Sequence, residues 1–103
     1  MSSRDVRLPT LSGKEGLILD LVGRAREMYG LELVAASGGG LKRGTVYVTL
    51  ARMEEKGFIS SRLDDEPPEA GGLPRRLYRA TSYGRQLLAA RVSLRRLIPR
   101  AAR

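Results

Sequence analysis

The sequence predicts a mainly α-helical fold with one small β-hairpin and a closing helix. Three observations support this fold class. A capping motif opens a run of apolar residues at helical spacing near the start, a second helical run after residue 42 ends at a glycine, and two short alternating segments flank a loop rich in proline and glycine. At 103 residues, the chain has the length of one domain with one modest core.

Helix one is predicted from Ser12 and Glu15, which have the spacing of a capping box. In this motif the serine caps the helix and the glutamate bonds back to the serine backbone. The apolar side of the helix comprises Leu17, Ile18, Leu21, Val22 and Ala25.

A break at residues 28–30 leads into a short second helix that ends at Ser37. The three glycines that follow, residues 38–40, are typical of a connecting loop. A nucleotide-binding loop is the alternative interpretation, but the Gly-Lys-Ser/Thr ending of a phosphate-binding loop is absent. The connector is therefore the favoured interpretation.

The third helix lies in the stretch Lys42 to Ile59. Val46, Leu50 and Met53 fall at i, i+4 and i+7 and form one buried stripe, and Gly57 ends the helix. The opposite side is small or basic, with Thr45 and Tyr47 on its flanks: Arg43, Gly44, Val48, Ala51 and Arg52. Such a face can approach a polyanion closely, although an ordinary solvated helix face is the alternative.

The hairpin is predicted from two segments, residues 59–63 and 76–81, which alternate apolar and polar residues. Between them, residues 64–75 have the proline and glycine content of a polar hairpin loop. The predicted element order is therefore three helices and then two antiparallel strands.

Thr81 or Ser82 caps a last helix, which stops at Pro99. Its apolar residues follow a heptad-like spacing: Tyr83, Leu87, Ala90, Leu94 and Leu97, widened by Leu88 and Ile98. This stripe either closes the core of the single chain or forms a dimer interface, and the arginine-rich flanks favour the interface. The residues predicted for the dimer interface are Leu8, Leu11, Leu87, Ala90, Leu94, Leu97 and Ile98.

The formal net charge of +8 comes from 19 basic and 11 acidic residues, and 16 of the basic residues are arginine. Arginine binds phosphate through two parallel hydrogen bonds, so phosphate is the expected partner group. The absence of Cys and His removes thiolate nucleophiles, imidazole bases and the common zinc ligands, and this argues against an enzyme and against a metal or other cofactor. No signal peptide or membrane-spanning run is visible, so a cytoplasmic protein is expected.

Three helices, a hairpin with a polar tip and a closing helix form the winged helix-turn-helix pattern. Several short sequence motifs also resemble those of the PadR family of bacterial transcriptional regulators. The matching phrases, which cover roughly residues 11 to 90, are Met28 to Leu33, Gly44 to Tyr47, Leu50 to Ile59, Pro74 to Thr81 and Gly84-Arg85. The predicted organisation is a flexible arm at residues 1–10, a winged helix-turn-helix domain at residues 11–81 and a C-terminal dimerisation helix with a basic tail at residues 82–103.

This resemblance implies a homodimeric repressor that places its third helix in the DNA major groove and reads a pseudo-palindromic operator. Thr45, Tyr47 and Arg52 are expected near base edges or adjacent phosphates, and Val48 near a thymine methyl group. The residues expected to hold phosphates are Lys42, Arg43, Arg75, Arg76 and Arg79. Two other interpretations stay open at this point: an RNA-binding or ribosome-associated winged-helix module, and a winged helix that binds an acidic protein.

Two departures from the family pattern affect these expectations. Gly72-Leu73-Pro74 stands where Gly-Arg-Pro is common at the wing, so no arginine is expected to act at that position. Lys42 and Arg43 stand where the family usually has Ser-Pro, so the third helix loses a good N-cap and gains two cations at its positive dipole end. This exchange is unfavourable unless an anion such as DNA phosphate lies there. The resemblance also implies a small-molecule inducer at the dimer cleft in some relatives, where aromatic compounds bind, but with no Trp and one Phe this chain offers few stacking surfaces.

Overall fold

The structure is a computed structural model that describes residues 9–64 and 75–97, with side chains described as far as residue 94. Most of the predicted arm and hairpin loop, and the expectations for Leu8, Leu97 and Ile98, fall outside this described part. The elements in chain order are α1 (Gly13–Ala25), β1 (Met28–Tyr29), α2 (Gly30–Ala36), α3 (Val46–Glu55), β2 (Ile59–Leu63), β3 (Arg76–Ala80) and α4 (Ser82–Leu97). No helix in the described ranges is long and apolar enough to cross a membrane.

The capping box predicted at the start of α1 is present. The Ser12 hydroxyl accepts from the Glu15 N–H at 3.1 Å, and the Glu15 carboxylate accepts from the Ser12 N–H at 2.8 Å. The same carboxylate also accepts from Lys56 Nζ at 2.7 Å. Glu15 is therefore a buried acid that joins the first turn of α1 to the end of α3.

The predicted stripe of α3 is confirmed, since Val46, Leu50 and Met53 are each at most 1% exposed. The helix ends at Gly57, which has φ = 81°, in the left-handed region where glycine is favoured. The Phe58 N–H donates to the Met53 carbonyl at 2.9 Å and the Gly57 N–H donates to Glu54 at 3.0 Å. These two bonds form a Schellman motif, which turns the chain directly into β2.

The predicted hairpin is present, and the sheet has a third strand that the sequence did not predict. β3 lies in the middle, antiparallel to both β1 and β2. Met28 pairs with Tyr78 and Tyr29 with Leu77. A strand of two residues shows no alternation of its own, and only its long-range pairing with β3 defines it.

The start of α4 packs tightly against the corner between α3 and β2. The Thr81 hydroxyl accepts from the Gly84 N–H at 3.0 Å and lies within hydrogen-bonding distance of the Gly57 and Phe58 carbonyls. A Cβ atom placed on Gly84 would lie 2.1 Å from the Phe58 carbonyl oxygen. Glycine at position 84 is therefore required by close backbone contact rather than by a special backbone angle.

The fold predicts opposite effects for two helical Gly-to-Ala substitutions. Alanine favours a helix over glycine by about 1 kcal/mol, so Gly23→Ala, whose Cβ meets nothing within 4 Å, should stabilise the chain by up to that amount. Gly84→Ala should instead destabilise it by about 1–3 kcal/mol, because the backbone oxygen of Phe58 must move. Denaturant unfolding measures both changes, and equal stabilisation by the two variants would contradict this packing.

The hydrogen-bonded Glu15 carboxylate leads us to expect that the folded protein loses stability in acid. Burial acts to raise its pKa, but hydrogen bonds from Lys56 and Ser12 outweigh that effect and hold the pKa below its ordinary value of 4.5. A carboxyl with a lowered folded-state pKa stabilises the fold above its unfolded value, and this contribution disappears as pH falls through the folded value. We expect the free energy of unfolding to fall below about pH 4.5.

Urea titrations at several pH values test this expectation. Glu15→Gln should be less stable than the wild type at neutral pH and should lose less stability on acidification. Glu55→Gln, a matched change at an exposed acid of α3, should keep the wild-type pH dependence. Identical acid profiles for wild type and Glu15→Gln would contradict the role given to Glu15.

Candidate nucleic-acid interface

The surface of α3 opposite its buried stripe is exposed and carries mostly small or basic side chains. At 100° per residue, Val48 and Glu55 lie directly opposite the stripe, with Ala51 and Arg52 beside them. All four are exposed, and Val48 retains 53% of its accessible surface. We call these four residues the ridge of α3; Val48 and Ala51 keep its middle low, and a helix surface of this kind can enter a groove about 12 Å wide.

Tyr47 lies on one flank of this ridge, between the start of α2 and the sheet. It is 47% exposed, yet its ring lies where a Cβ atom on Gly30 would be, 2.6 Å from Cε1. The ring therefore packs over the first residue of α2 while about half of the side chain remains open to solvent. Tyr47 thus packs against α2 with one side of its ring and leaves the rest of the side chain available to a partner.

The start of α3 has no side-chain cap. The Lys42 carbonyl accepts from the Thr45 N–H at 3.1 Å and from the Val46 N–H at 2.9 Å, and the Thr45 hydroxyl makes no capping bond. Lys42 and Arg43 are exposed beside this turn. The missing N-cap predicted from the sequence is therefore seen, and two cations lie at the positive end of the helix dipole.

We call the β2–β3 hairpin the wing. Tyr29 of β1 holds the base of the wing, where β2 ends and β3 begins. The Tyr29 hydroxyl donates to the Asp64 carboxylate, and this bond is the main cause that raises the pKa of Tyr29. The Arg75 guanidinium lies 4.2 Å from the centre of the Tyr29 ring, and the Asp64 N–H donates to the Arg75 carbonyl at 2.8 Å. Sequence reasoning gave Tyr29 no role, because its partners lie 35 or more residues away.

The wing arginines do not lie in one row. Arg76 faces α3: it donates to the Ser61 hydroxyl at 3.1 Å, and Ser61 donates to Glu54 of α3 at 2.8 Å. Side chains alternate between the faces of a strand, so Arg79 lies on the opposite face, with Leu77. The structure therefore brings Arg76 next to α3 and does not bring Arg79 there.

The outer face of the sheet holds a separate ion pair. Arg62 donates twice to the Glu27 carboxylate, at 2.9 Å each. This bidentate bond is the main cause that holds the pKa of Glu27 below its ordinary value. Arg62 is therefore engaged within the chain.

The residues predicted for a dimer interface divide into two groups. Leu11 and Leu87 belong to the core of the single chain, at 8% and 5% exposure. Ala90 is half-buried, whereas Leu94, which lies two turns after Leu87 on the same face of α4, is 61% exposed. Of the predicted set within the described side chains, Leu94 is the residue that presents a large apolar surface to a partner.

A groove lies between α1 and α4. Arg91 crosses from α4 to donate to the Ser12 carbonyl at 3.2 Å, and its guanidinium lies where a Cβ atom on Gly16 would be. The cavity has a volume of about 350 Å³ and is lined by Gly13, Gly16, Leu17, Asp20, Leu88, Arg91 and Val92.

Within residues 9–64 and 75–94, no cluster of acids could hold a metal ion. Every buried side-chain nitrogen and oxygen atom in the same ranges has a hydrogen-bond partner. The exposed features are cations, the low ridge of α3 and the apolar patch of α4.

Comparison with known proteins identifies relatives of this arrangement. A model of the transcriptional regulator PadR-like family matches residues 18–90. A PadR family regulator from a hypervirulent Clostridium difficile strain is 30% identical, with a TM-score of 0.66 over 80% of this chain and 85% of that protein. A putative transcriptional regulator from Thermoplasma acidophilum is 28% identical, with a TM-score of 0.67 and 82% of each chain covered.

The structure of Bacillus subtilis PadR in complex with operator DNA shares the fold, with a TM-score of 0.67 at 22% identity. The similarity covers 79% of this chain and 47% of that one. No curated protein sequence matches significantly. The family match over residues 18–90 and the relative that is 30% identical over most of both chains show that this chain belongs to the PadR-like family of transcriptional regulators.

Proposed function

We propose that this PadR-family regulator acts in the cytoplasm as a homodimeric repressor whose α3 helices enter successive major grooves of an operator. The observation that carries the proposal is the ridge of α3, which is exposed, low and flanked by cations in a chain of net charge +8. The solved complex of Bacillus subtilis PadR with operator DNA supports the choice of duplex DNA over RNA. In a two-fold dimer, the two helices would lie about 34 Å apart, one turn of DNA.

The contacts divide by the position of each side chain. Val48 on the ridge is the proposed base reader, for a thymine methyl group, and Arg52 beside it is proposed to contact a base edge or an adjacent phosphate. Thr45 and Tyr47 flank them, near bases or adjacent phosphates. The proposed phosphate contacts on the side of the α3 start and the wing are Lys42, Arg43, Arg75 and Arg76. Arg79 is left out because it lies on the sheet face turned away from α3.

The proposed dimer forms through α4 and the adjoining side of α1. Leu94 supplies the apolar centre, since it is exposed and lies two turns after Leu87 on the same face of α4. An inducer in the α1–α4 groove would meet glycines, aliphatic residues and the charges of Asp20 and Arg91. We therefore expect inducers to be recognised by charge and shape rather than by aromatic stacking.

Selection from a random 25-bp duplex library tests sequence-specific binding. The selected duplex should bind about 10³-fold or more tightly than a scrambled duplex at equal salt, and its half-sites should be centred about 10 bp apart. Val48→Glu adds a second acid to the ridge, which already carries Glu55, and should weaken binding by several kcal/mol, or about 100-fold or more. Gln86→Glu, the same charge change on exposed α4, should have little effect. Equal binding to both duplexes would overturn the regulator proposal.

Leu94→Glu tests the proposed interface. A buried charge without a partner is costly in an apolar contact, so this variant should be monomeric in sedimentation equilibrium while the wild type is dimeric. Its thermal unfolding should remain cooperative, since Leu94 lies outside the core of the single chain. Operator affinity should fall because two half-sites are no longer bound by one molecule. A dimer that persists in Leu94→Glu would place the interface elsewhere.

A further inference from the structure

A second cationic surface lies on the flank of α3 opposite the wing. A groove of about 600 Å³ separates this flank from the first turn of α1. Its lining consists of Thr10, Leu11, Ser12, Lys14, Glu15, Thr49, Arg52 and Lys56. Three cations and one acid therefore meet here, although Lys14 and Arg52 are 38 positions apart in the sequence. Only the fold brings them together.

Two of these cations have no side-chain partner among the residues that the structure describes. Lys14 and Arg52 are exposed, and neither side chain makes a hydrogen bond or ion pair with the described residues. Several other cations in these ranges are engaged: Arg24 with Asp20, Arg62 with Glu27, and Arg76 with Ser61. The groove thus holds charge that the fold itself does not use.

The third cation is held in place and still has donors to spare. Lys56 is fixed by Glu15 at 2.7 Å, and its side chain remains 50% exposed. An ammonium group has three N–H donors, and one carboxylate contact leaves two available. Glu15 directs its oxygens to Lys56 Nζ and the Ser12 N–H, so its charge is largely compensated inside the fold.

The position of the groove suggests its ligand. A helix with its side chains is about 10–12 Å across and fills a major groove about 12 Å wide, so one sugar-phosphate backbone passes along each flank of the helix. The wing covers one flank of α3. Arg52 and Lys56 lie one turn apart on the other flank, facing Lys14 across the groove.

We propose that the groove between α1 and α3 is a second phosphate-binding site, in which Lys14, Arg52 and Lys56 hold the DNA backbone on the side away from the wing. This inference rests on the proposed function, since it requires α3 to lie in a major groove. It adds two contact residues, Lys14 and Lys56, and makes α1 part of the DNA-binding surface.

Salt dependence of binding to a fluorescein-labelled duplex tests the site. Each phosphate contact contributes about 0.9 to the slope of log K against log salt, and Lys14→Gln removes one contact from each protomer of the proposed dimer, so it should lower that slope by about 1.8. Arg24→Gln is the matched control: it removes one exposed charge from the same helix, ~15 Å further along. This distance exceeds the Debye length of about 10 Å at 0.1 M salt, so the control slope should stay at the wild-type value.

A neutral-phosphate scan locates the contact. Single methylphosphonate substitutions along the selected duplex should reveal a position where wild-type binding weakens and binding of Lys14→Gln does not change further. That position should lie on the backbone away from the wing. Lys14→Gln and wild type should unfold at the same temperature, because the side chain is exposed and both residues are good helix formers.

Equal slopes for Lys14→Gln and Arg24→Gln, or equal sensitivity of Lys14→Gln and wild type at every methylphosphonate, would overturn the second site and leave the regulator proposal intact. A wild-type chain that binds no duplex would overturn the proposed function itself. The two failures are therefore distinguishable in one series of titrations.

Discussion

The corner at Gly57 and Phe58 sets the relative placement of α3, the sheet and α4. The Schellman motif ends α3 there, and the Phe58 carbonyl accepts from the Thr81 N–H at 3.1 Å and from the Thr81 hydroxyl at 3.0 Å. Gly84 then packs against the same carbonyl. One peptide group thereby connects the proposed DNA-reading helix to the helix proposed for dimerisation, so the spacing between two α3 helices in a dimer would depend on it.

The charges of the chain fall into two functional groups. One group is engaged inside the fold: Lys56 with Glu15, Arg62 with Glu27, and Arg91 with the Ser12 carbonyl. The other group includes Lys42, Arg43, Lys14 and Arg52, which border α3 and make no such bonds within the described ranges. Net charge alone therefore overstates the charge available to a partner. The positions of the unbonded cations around α3 say more about where a partner would bind.

Local patterns carried most of the fold prediction. The capping box, the buried stripe of α3, Gly57 and the two long strands each depend on residues within one short segment, and the structure confirms them. β1 was not predicted, because a strand of two residues shows no periodicity. The groove beside α1 was not predicted either, because its cations come from distant segments of the sequence. The separation of Arg76 from Arg79 follows from strand alternation, but only once the register of β3 is known. Side-chain roles at the proposed interfaces remain proposals, since they depend on partners.

Tyr29 links two parts of the surface that are separate in sequence. It is the N-cap residue of α2, its N–H donates to Glu32 at 2.8 Å, and its ring and hydroxyl hold Arg75 and Asp64 at the wing. The start of α2 and the root of the wing are therefore joined through one residue. Binding a duplex would then require little ordering at that root, and the association would lose correspondingly less conformational entropy.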